Sequence, residues 1–180
     1  MIRSSYPSEI LSRYNTDKNI GAPLGHTYGK NFYDHYLPHY RWCEKVLEVG
    51  IWHGESLRTW AEYFPDATIV GLDIEYQYLI NKGRILSYLV NAGKVDEFEH
   101  FAKWHAGEFS VAIDDASHLI EDQLVFVTIM KKYLKLGGIL IVEDVSTIEN
   151  GQRLKELGCK VEEYDIQLRP DDRIAYWIKT

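Results

Sequence analysis

Short apolar runs and helix-like segments alternate from Lys45 to the C-terminus, and this alternation constrains the fold more than any other feature. The apolar runs predict strands at Val46–Val49, Thr68–Leu72, Ile85–Val90, Val111–Ile113 and Ile139–Val142. Helical spacing between and after them predicts helices at Ser56–Tyr63, Val95–Trp104, Leu119–Leu136 and around Leu154–Leu157. Val161–Leu168 and Arg173–Ile178 flank Pro170-Asp171-Asp172, which predicts a terminal antiparallel pair joined by a solvated turn. Strands that alternate with helices in this way form a doubly wound, mostly parallel α/β sheet.

Composition narrows the function classes. The net charge is −7 and Lys and Arg form no block, which disfavours a nucleic-acid partner. The first residues lack the apolar core of a secretory signal, and Ile139–Val142 is far too short to cross a membrane. Cys43 and Cys159 are isolated and match no metal spacing, so we expect reduced thiols in a cytoplasmic protein.

The first 44 residues have a different character. They are polar and aromatic, and glycine and proline interrupt any regular pattern. A long loop-rich segment of this kind commonly covers a functional site. We therefore divide the chain into an N-terminal extension, residues 1–44, that covers the site, and an α/β domain, residues 45–180.

The first predicted strand leads into the loop LEVGIWHGES, which spans Leu47–Ser56. Its spacing is E-x-G-x-x-x-G, from Glu48 through Gly50 to Gly54, and differs from the G-x-G-x-x-G fingerprint of dinucleotide-binding folds. Glycine lets the backbone approach a ligand, and the next helix offers its N-terminus, with Ser56 in its first turn.

Asp73 ends the second predicted strand, with Ile74 beside it. An acid at this place can accept hydrogen bonds from both hydroxyls of a ribose. Together with the E-x-G-x-x-x-G loop, this is the usual arrangement for S-adenosylmethionine (SAM) in class I methyltransferases. The alternative is a tight strand–helix turn followed by a surface aspartate.

Four carboxylates follow the fourth and fifth predicted strands, which end in Asp114-Asp115 and Glu143-Asp144. Carboxylates this close repel each other unless a cation neutralises them, and oxygen ligands suit Mg²⁺. His118 lies three residues beyond Asp115 and could remove a proton from a substrate hydroxyl. Alternatively, the aspartates cap the following helix and the histidine only packs.

A family resemblance rests on several of these motifs together. The segments GESLRTWAEYFPDATIVGLDI, VAIDDASH and GGILIVEDV resemble the sugar O-methyltransferases of macrolide biosynthesis, the macrocin and mycinamicin type. The N-terminal NTDKNIGAPLGHTYGKNFYDHYL is similar to the opening segment of that family. The resemblance covers about residues 14–145. It implies a Rossmann-like class I methyltransferase fold, SAM as methyl donor, a Mg²⁺ ion, and a hydroxyl of a sugar or glycosylated small molecule as acceptor.

The resemblance also implies roles for individual residues. Asp115 and Asp144 match metal-binding acids with Glu143 adjacent, and His118 matches the catalytic base, assisted by Asp115. The remaining positions are implied to bind the cofactor or to fold over it and the acceptor: Glu48, Gly50, Gly54, Ser56, Asp73, Ile74, Asn91, Asp114, Thr16, Lys18, His26 and Tyr28.

The chain departs from the family pattern at a few places. Ala116 stands where glycine is usual, Trp52-His53 puts bulky groups in the glycine loop, and VNAGKVDEF replaces a G-D-Q motif, so Asn91 is only a candidate for the adenine contact. The chain is short, which leaves the acceptor undefined and a homo-oligomer open. Two other functions stay open at this point: a non-catalytic SAM- or nucleotide-binding protein, and a cephalosporin-hydroxylase-like enzyme on the same fold.

Overall fold

The computed structural model describes residues 6–14, 16–19, 25–164 and 169–180. Within these ranges, one sheet has seven strands in the order β3-β2-β1-β4-β5-β7-β6. The strands are β1 Lys45–Val49, β2 Thr68–Asp73, β3 Ile85–Leu89, β4 Val111–Asp114, β5 Ile139–Val142, β6 Lys160–Glu163 and β7 Arg173–Ile178. The first five are parallel, and β7 runs antiparallel to both β5 and β6. The predicted mostly parallel sheet with a terminal antiparallel pair is confirmed.

Six α-helices accompany this sheet in the described ranges. They are α1 Pro7–Leu11, α2 Asp34–Tyr36, α3 Glu55–Tyr63, α4 Val95–Trp104, α5 Ile120–Tyr133 and α6 Ile148–Glu156. A π-helical turn, Gly29–Tyr33, precedes α2, and a 3₁₀ turn, Leu37–Tyr40, follows it. None of the helices in the described residues has both the length and the apolar character that crossing a bilayer requires.

The order of the strands reverses between β1 and β4. Val49 lies opposite Asp114 in the β1–β4 pair, and Asp114 lies opposite Val142 in the β4–β5 pair. The carboxyl ends of these three strands therefore meet at one edge of the sheet. Ligands of open α/β sheets bind beyond such an edge, at the place where the strand order reverses.

The central strands are buried on both faces, as the uninterrupted apolar run of β5 predicts: each residue of Ile139–Val142 is 0% exposed. One cluster of side chains packs α4 and α5 against one face of the sheet. The other face is covered by α3 together with the N-terminal residues Tyr28, Phe32, Tyr33 and Leu37, all fully buried. Part of the predicted extension thus completes the core and lies beside the ends of the strands.

Most predicted elements agree with the structure to within a residue or two at each end, and two differ by more at their C-terminal ends. Helix α5 ends at Tyr133 instead of Leu136, because the Tyr133 carbonyl accepts a hydrogen bond from the Gly107 backbone (2.7 Å) and the Lys135 amide donates to Phe109 (2.9 Å). These contacts tie the end of the helix to the loop that enters β4. The strand predicted at Val161–Leu168 is β6 as far as Glu163, and residues 165–168 lie outside the described residues.

Candidate active site

A cavity of about 670 Å³ opens at the carboxyl ends of β1, β2 and β4. Nine of the residues predicted for the site line it: Thr16, Gly50, Ser56, Asp73, Ile74, Asn91, Asp114, Asp115 and His118. Seven do not line it: Lys18, His26, Tyr28, Glu48, Gly54, Glu143 and Asp144. These seven lie behind or beside the wall and act on it through hydrogen bonds, ion pairs or backbone geometry.

The glycine loop after β1 needs glycine for a local reason. Gly50 has φ +93°, and a Cβ atom there would lie 2.1 Å from the carbonyl oxygen of Asp115. Gly54 has φ +75°, and its Cβ would lie 2.1 Å from a methyl group of Ile80. The loop therefore packs directly on the residues that follow β4. This contact fixes the relative positions of the two segments, both of which border the cavity.

Asp73 holds this loop in place. Its Oδ2 accepts hydrogen bonds from the backbone amides of Ile51 (2.9 Å) and Trp52 (3.2 Å), and its Oδ1 accepts from the Glu75 amide (2.9 Å). Carboxylate oxygens carry further lone pairs, so Asp73 can orient the loop and still accept bonds from ribose hydroxyls in the cavity.

Glu48 does not line the cavity and is 0% exposed. Ser56 Oγ donates a 2.7 Å hydrogen bond to its Oε2, and the ammonium of Lys18 lies 3.4 Å from its Oε1. Burial raises the pKa of Glu48, and Lys18 opposes that rise. In this geometry Glu48 therefore does not directly contact a ligand in the cavity.

Lys18 supplies positive charge to the acids at the ends of β4 and β5. Its Nζ lies 3.0 and 2.9 Å from the two carboxylate oxygens of Glu143 and pairs with Asp115 Oδ2, and the side chain is 1% exposed. Burial alone would lower the pKa of Lys18, but Asp115, Glu143 and Glu48 raise it well above its ordinary value. The lysine therefore stays charged among these carboxylates.

Asp144 is held from the opposite side. The hydroxyl of Tyr28 donates to its Oδ1 (2.6 Å), and His26 Nε2 lies 3.0 Å from the same oxygen. The other nitrogen of His26, Nδ1, lies 3.2 Å from Asp172 Oδ1, and the ring stacks on Tyr28 with 4.4 Å between centroids. Burial opposes protonation of His26, but Asp144 and Asp172 raise its pKa from 6.5 to about 9.

His118 stands between two of the acids at the cavity wall. Its Nε2 lies 3.3 Å from Asp115 Oδ1 and 3.4 Å from Asp144 Oδ2. The hydrogen bond to Asp115 raises the pKa of His118, which burial opposes. Nε2 is close to both carboxylates, and the His118 side chain is 40% exposed. His118 can therefore exchange a proton with a molecule in the cavity.

Backbone strain is concentrated at this site. In the described residues, three residues other than glycine have positive φ: Trp52 (46°), His118 (57°) and Asp144 (54°). A positive φ in a residue other than glycine destabilises the backbone, and the surrounding contacts must offset that cost. Such strain tends to cluster at functional sites, where a side chain must be held in one position. All three belong to segments that follow β1, β4 or β5.

The donor set fits a hard divalent cation. One carboxylate oxygen each from Asp115 and Asp144 and a ring nitrogen of His118 lie within 4.8 Å of one another. Mg²⁺ in proteins commonly takes one or two carboxylates and completes its shell with water and substrate oxygens. Asp144 also groups with His26 and Asp171, but hydrogen bonds and an ion pair already occupy those side chains.

Sequence reasoning missed some of the side chains that build the site. Asp172, predicted to lie in a solvated turn, is 1% exposed and accepts hydrogen bonds from the Thr27 hydroxyl (2.8 Å) and amide (3.3 Å). Tyr33 donates to Glu143 Oε1, and Asp122 lines the cavity. No local pattern marks Asp172 or Tyr33, because each reaches the site from an element distant in sequence, whereas Asp122 lies in the first turn of α5, shortly after His118.

The strand order, the loop after β1 and the cavity at the switch point define a Rossmann-like methyltransferase fold. The solved MycE methyltransferase from the mycinamycin biosynthetic pathway, in complex with Mg, SAH and mycinamycin VI, has the same fold, with a TM-score of 0.75 and 22% identity. The match covers 97% of this chain and 53% of that protein.

Curated relatives narrow the resemblance further. The chain is 28% identical over 147 residues to mycinamicin VI 2''-O-methyltransferase of Micromonospora griseorubida and 32% identical over 148 residues to demethylmacrocin O-methyltransferase of Streptomyces fradiae. Each match covers 78% of this chain and 36% of the relative, so the chain spans about a third of the length of these proteins. No family model matches the chain. Its homologues are macrolide sugar O-methyltransferases, and the resemblance predicted from the motifs is confirmed.

Proposed function

We propose that this chain is a SAM-dependent, Mg²⁺-assisted O-methyltransferase domain that acts on a hydroxyl of a sugar or glycosylated small molecule. One observation carries the proposal: the cavity has the glycine loop and Asp73 on one side and Asp115 and His118 on the other, and Asp144 lies 3.4 Å from His118 behind that wall. The names of the relatives favour this activity over a non-catalytic binder or a cephalosporin-hydroxylase-like enzyme.

The residues divide between the two partners of the reaction. Gly50, Asp73 and Ile74 line the part of the cavity that would take the cofactor, and Asn91 lies at its far end. Asp114 also lines the cavity; burial raises its pKa to about 7, and the neighbouring Asp115 adds to that rise. A carboxyl group in this state can donate or accept a hydrogen bond near neutral pH, which suits contacts to the cofactor.

Proton removal falls to His118. When bound, SAM would supply the methyl group as a sulfonium, and Mg²⁺, held by Asp115 and Asp144, would orient the acceptor hydroxyl and lower its pKa. The His118 imidazole accepts the hydroxyl proton, and the carboxylate of Asp115, 3.3 Å from Nε2, stabilises the resulting imidazolium. The residues of the N-terminal segment, Tyr28 among them, keep Asp144 oriented and exclude water behind it.

The proposed acceptor is a small molecule that binds beside His118 and Leu119, two cavity residues with exposed side-chain surface. The free cysteines Cys43 and Cys159 are consistent with the reducing environment of a cytoplasmic enzyme.

Methyl transfer from SAM to a panel of glycosides tests the proposal. His118→Ala should lower the rate about 100-fold or more, the usual effect of losing a general base, while SAM affinity stays unchanged. His100→Ala, a change of the same type at an exposed position of α4, should keep the rate. Full activity in both His118→Ala and Asp144→Asn would refute the assignment.

A further inference from the structure

Part of the cavity, between the ends of β2 and β3 and the start of α5, has apolar walls. Leu72, Val90, Ala92 and Phe126 line it, and all four pack in the core cluster on the α4 and α5 side of the sheet. Asp122, in the first turn of α5, also lines the cavity. Apolar walls with a few well-placed polar groups are typical of a site for a planar aromatic ring.

The carboxylate of Asp122 is held on two sides. Ser117 Oγ donates a 2.5 Å hydrogen bond to its Oδ2. Oδ1 lies against Gly93, where a Cβ atom would be only 2.5 Å away, so the lack of a side chain at Gly93 gives the carboxylate its room. Among the residues that the structure describes, Oδ1 receives no hydrogen bond, and it can therefore accept one from a ligand.

Asn91, the residue that the sequence offers for the adenine contact, has a different set of bonds. Its side-chain oxygen accepts a 3.0 Å hydrogen bond from the Gly93 amide, and its backbone amide donates to Glu97 Oε1 (2.8 Å). The side-chain group that Asn91 still offers to a ligand is its NH₂, which is a donor. An amino group on a bound ring needs an acceptor instead.

We propose that Asp122 is the residue that selects adenine, and that its Oδ1 accepts a hydrogen bond from the 6-amino group of the base. The inference rests on the proposed function, because it concerns the base of the same cofactor. It moves the amino contact from the loop after β3, where VNAGKVDEF lacks the G-D-Q motif, to the first turn of α5. A carboxylate accepts from an amino group and repels a keto oxygen at the same position.

The charges around this part of the cavity favour the same choice of base. Among the described residues, no Lys or Arg side chain lines the cavity, so no cationic donor is available there for a keto oxygen. Asp114 lines the cavity as well; burial and Asp115 raise its pKa, and Asp122 adds a smaller contribution. Asp114 and Asp122 therefore act on one region, which is rich in acceptors.

Titration calorimetry with two nucleosides, on the full chain, tests this directly. S-Adenosylhomocysteine carries the 6-amino group, and S-inosylhomocysteine carries a keto oxygen in its place. Wild type should bind the adenosyl compound about 30-fold or more tightly than the inosyl compound, because a hydrogen bond to a charged group is at stake. Asp122→Asn should reduce this ratio to about threefold or less, since an amide can both donate and accept.

The ratio is the informative quantity, because a general disturbance of the cavity weakens both compounds alike. Asp96→Asn changes an exposed acid in the first turn of α4 and should keep the wild-type ratio. Gly93→Ala reaches the same carboxylate by another route: its Cβ would displace Asp122 Oδ1, and the ratio should fall toward that of Asp122→Asn.

Three results would overturn the inference: a wild-type ratio near one, the wild-type ratio in Asp122→Asn, or the wild-type ratio in a folded Gly93→Ala. Each of these, together with saturable binding of S-adenosylhomocysteine, would leave the methyltransferase proposal standing. Absence of S-adenosylhomocysteine binding by folded wild type would refute the proposed function and this inference together.

Discussion

The hydroxyl of Tyr28 donates a 2.6 Å hydrogen bond to Oδ1 of Asp144, and both side chains are almost completely buried. The contact joins a residue of the N-terminal segment to the acid that follows β5, 116 positions later. It leaves Oδ2 of Asp144 directed toward His118. The N-terminal segment therefore contributes directly to the contacts that hold the acids at the ends of the strands.

Tyr28→Phe should lower the free energy of unfolding by about 2 kcal/mol, because a buried hydrogen bond to a carboxylate is lost while the ring still packs. Urea denaturation measures the change. Tyr40→Phe is the matched control: the Tyr40 hydroxyl bonds the Gly137 carbonyl (3.1 Å) near the surface, and its loss should cost less than about 1 kcal/mol. Equal effects of the two variants would contradict the importance assigned to the Tyr28–Asp144 contact.

The stability of the metal-free protein should fall as pH rises from 6.5 to about 9, because His26 is protonated between Asp144 and Asp172. A histidine whose folded pKa is raised stabilises the fold fully below its unfolded pKa, and this contribution is lost as pH rises through the folded pKa. The loss attributable to His26 should be at most about 3 kcal/mol.

Urea denaturation in EDTA across this pH range, on wild type and His26→Gln, isolates the effect. The difference in unfolding free energy between the two proteins should shrink with rising pH. His35→Gln changes an exposed histidine and should keep the pH profile of wild type. A difference that stays constant from pH 6 to 9 would show that folding does not raise the pKa of His26.

Gly50→Ala should destabilise the protein by about 3 kcal/mol or more, since it combines a positive φ with a clash against the chain after β4. The new Cβ would lie 2.1 Å from the Asp115 carbonyl oxygen. Gly83→Ala provides the comparison, because Gly83 also has positive φ (62°) but nothing lies within 4 Å of its Cβ position. It should cost about 1 kcal/mol, the strain alone. Similar losses in both would mean that the contact with Asp115 is unimportant.

The sheet was predictable because its signal is local. Ile139–Val142 is apolar at every position and is the fully buried β5, and Asp73 and Asp114 fall at the ends of β2 and β4 as the pattern of short strands indicates. The end of α5 could not be predicted in this way, because the Tyr133 carbonyl accepts a hydrogen bond from Gly107, a residue on a different loop.

The acids of the site could be predicted from the sequence, but the side chains that surround and hold them could not. The spacing of Asp115, His118 and Asp144 follows from neighbouring strand ends, and the structure brings them within reach of one another. The burial of Asp172 and the ion pairs of Lys18 depend on where the N-terminal segment packs. Nothing in the local sequence of either residue encodes that packing, so tertiary structure was needed to see it.

Titration calorimetry of SAM and of S-adenosylhomocysteine tests the central claim most directly, because both molecules must fit the cavity between the glycine loop and His118. The account predicts saturable one-to-one binding of both, in Mg²⁺ and in EDTA, and no binding of NAD⁺, since the E-x-G-x-x-x-G loop differs from the dinucleotide fingerprint. Absence of binding by both nucleosides to protein that is folded by circular dichroism would contradict it.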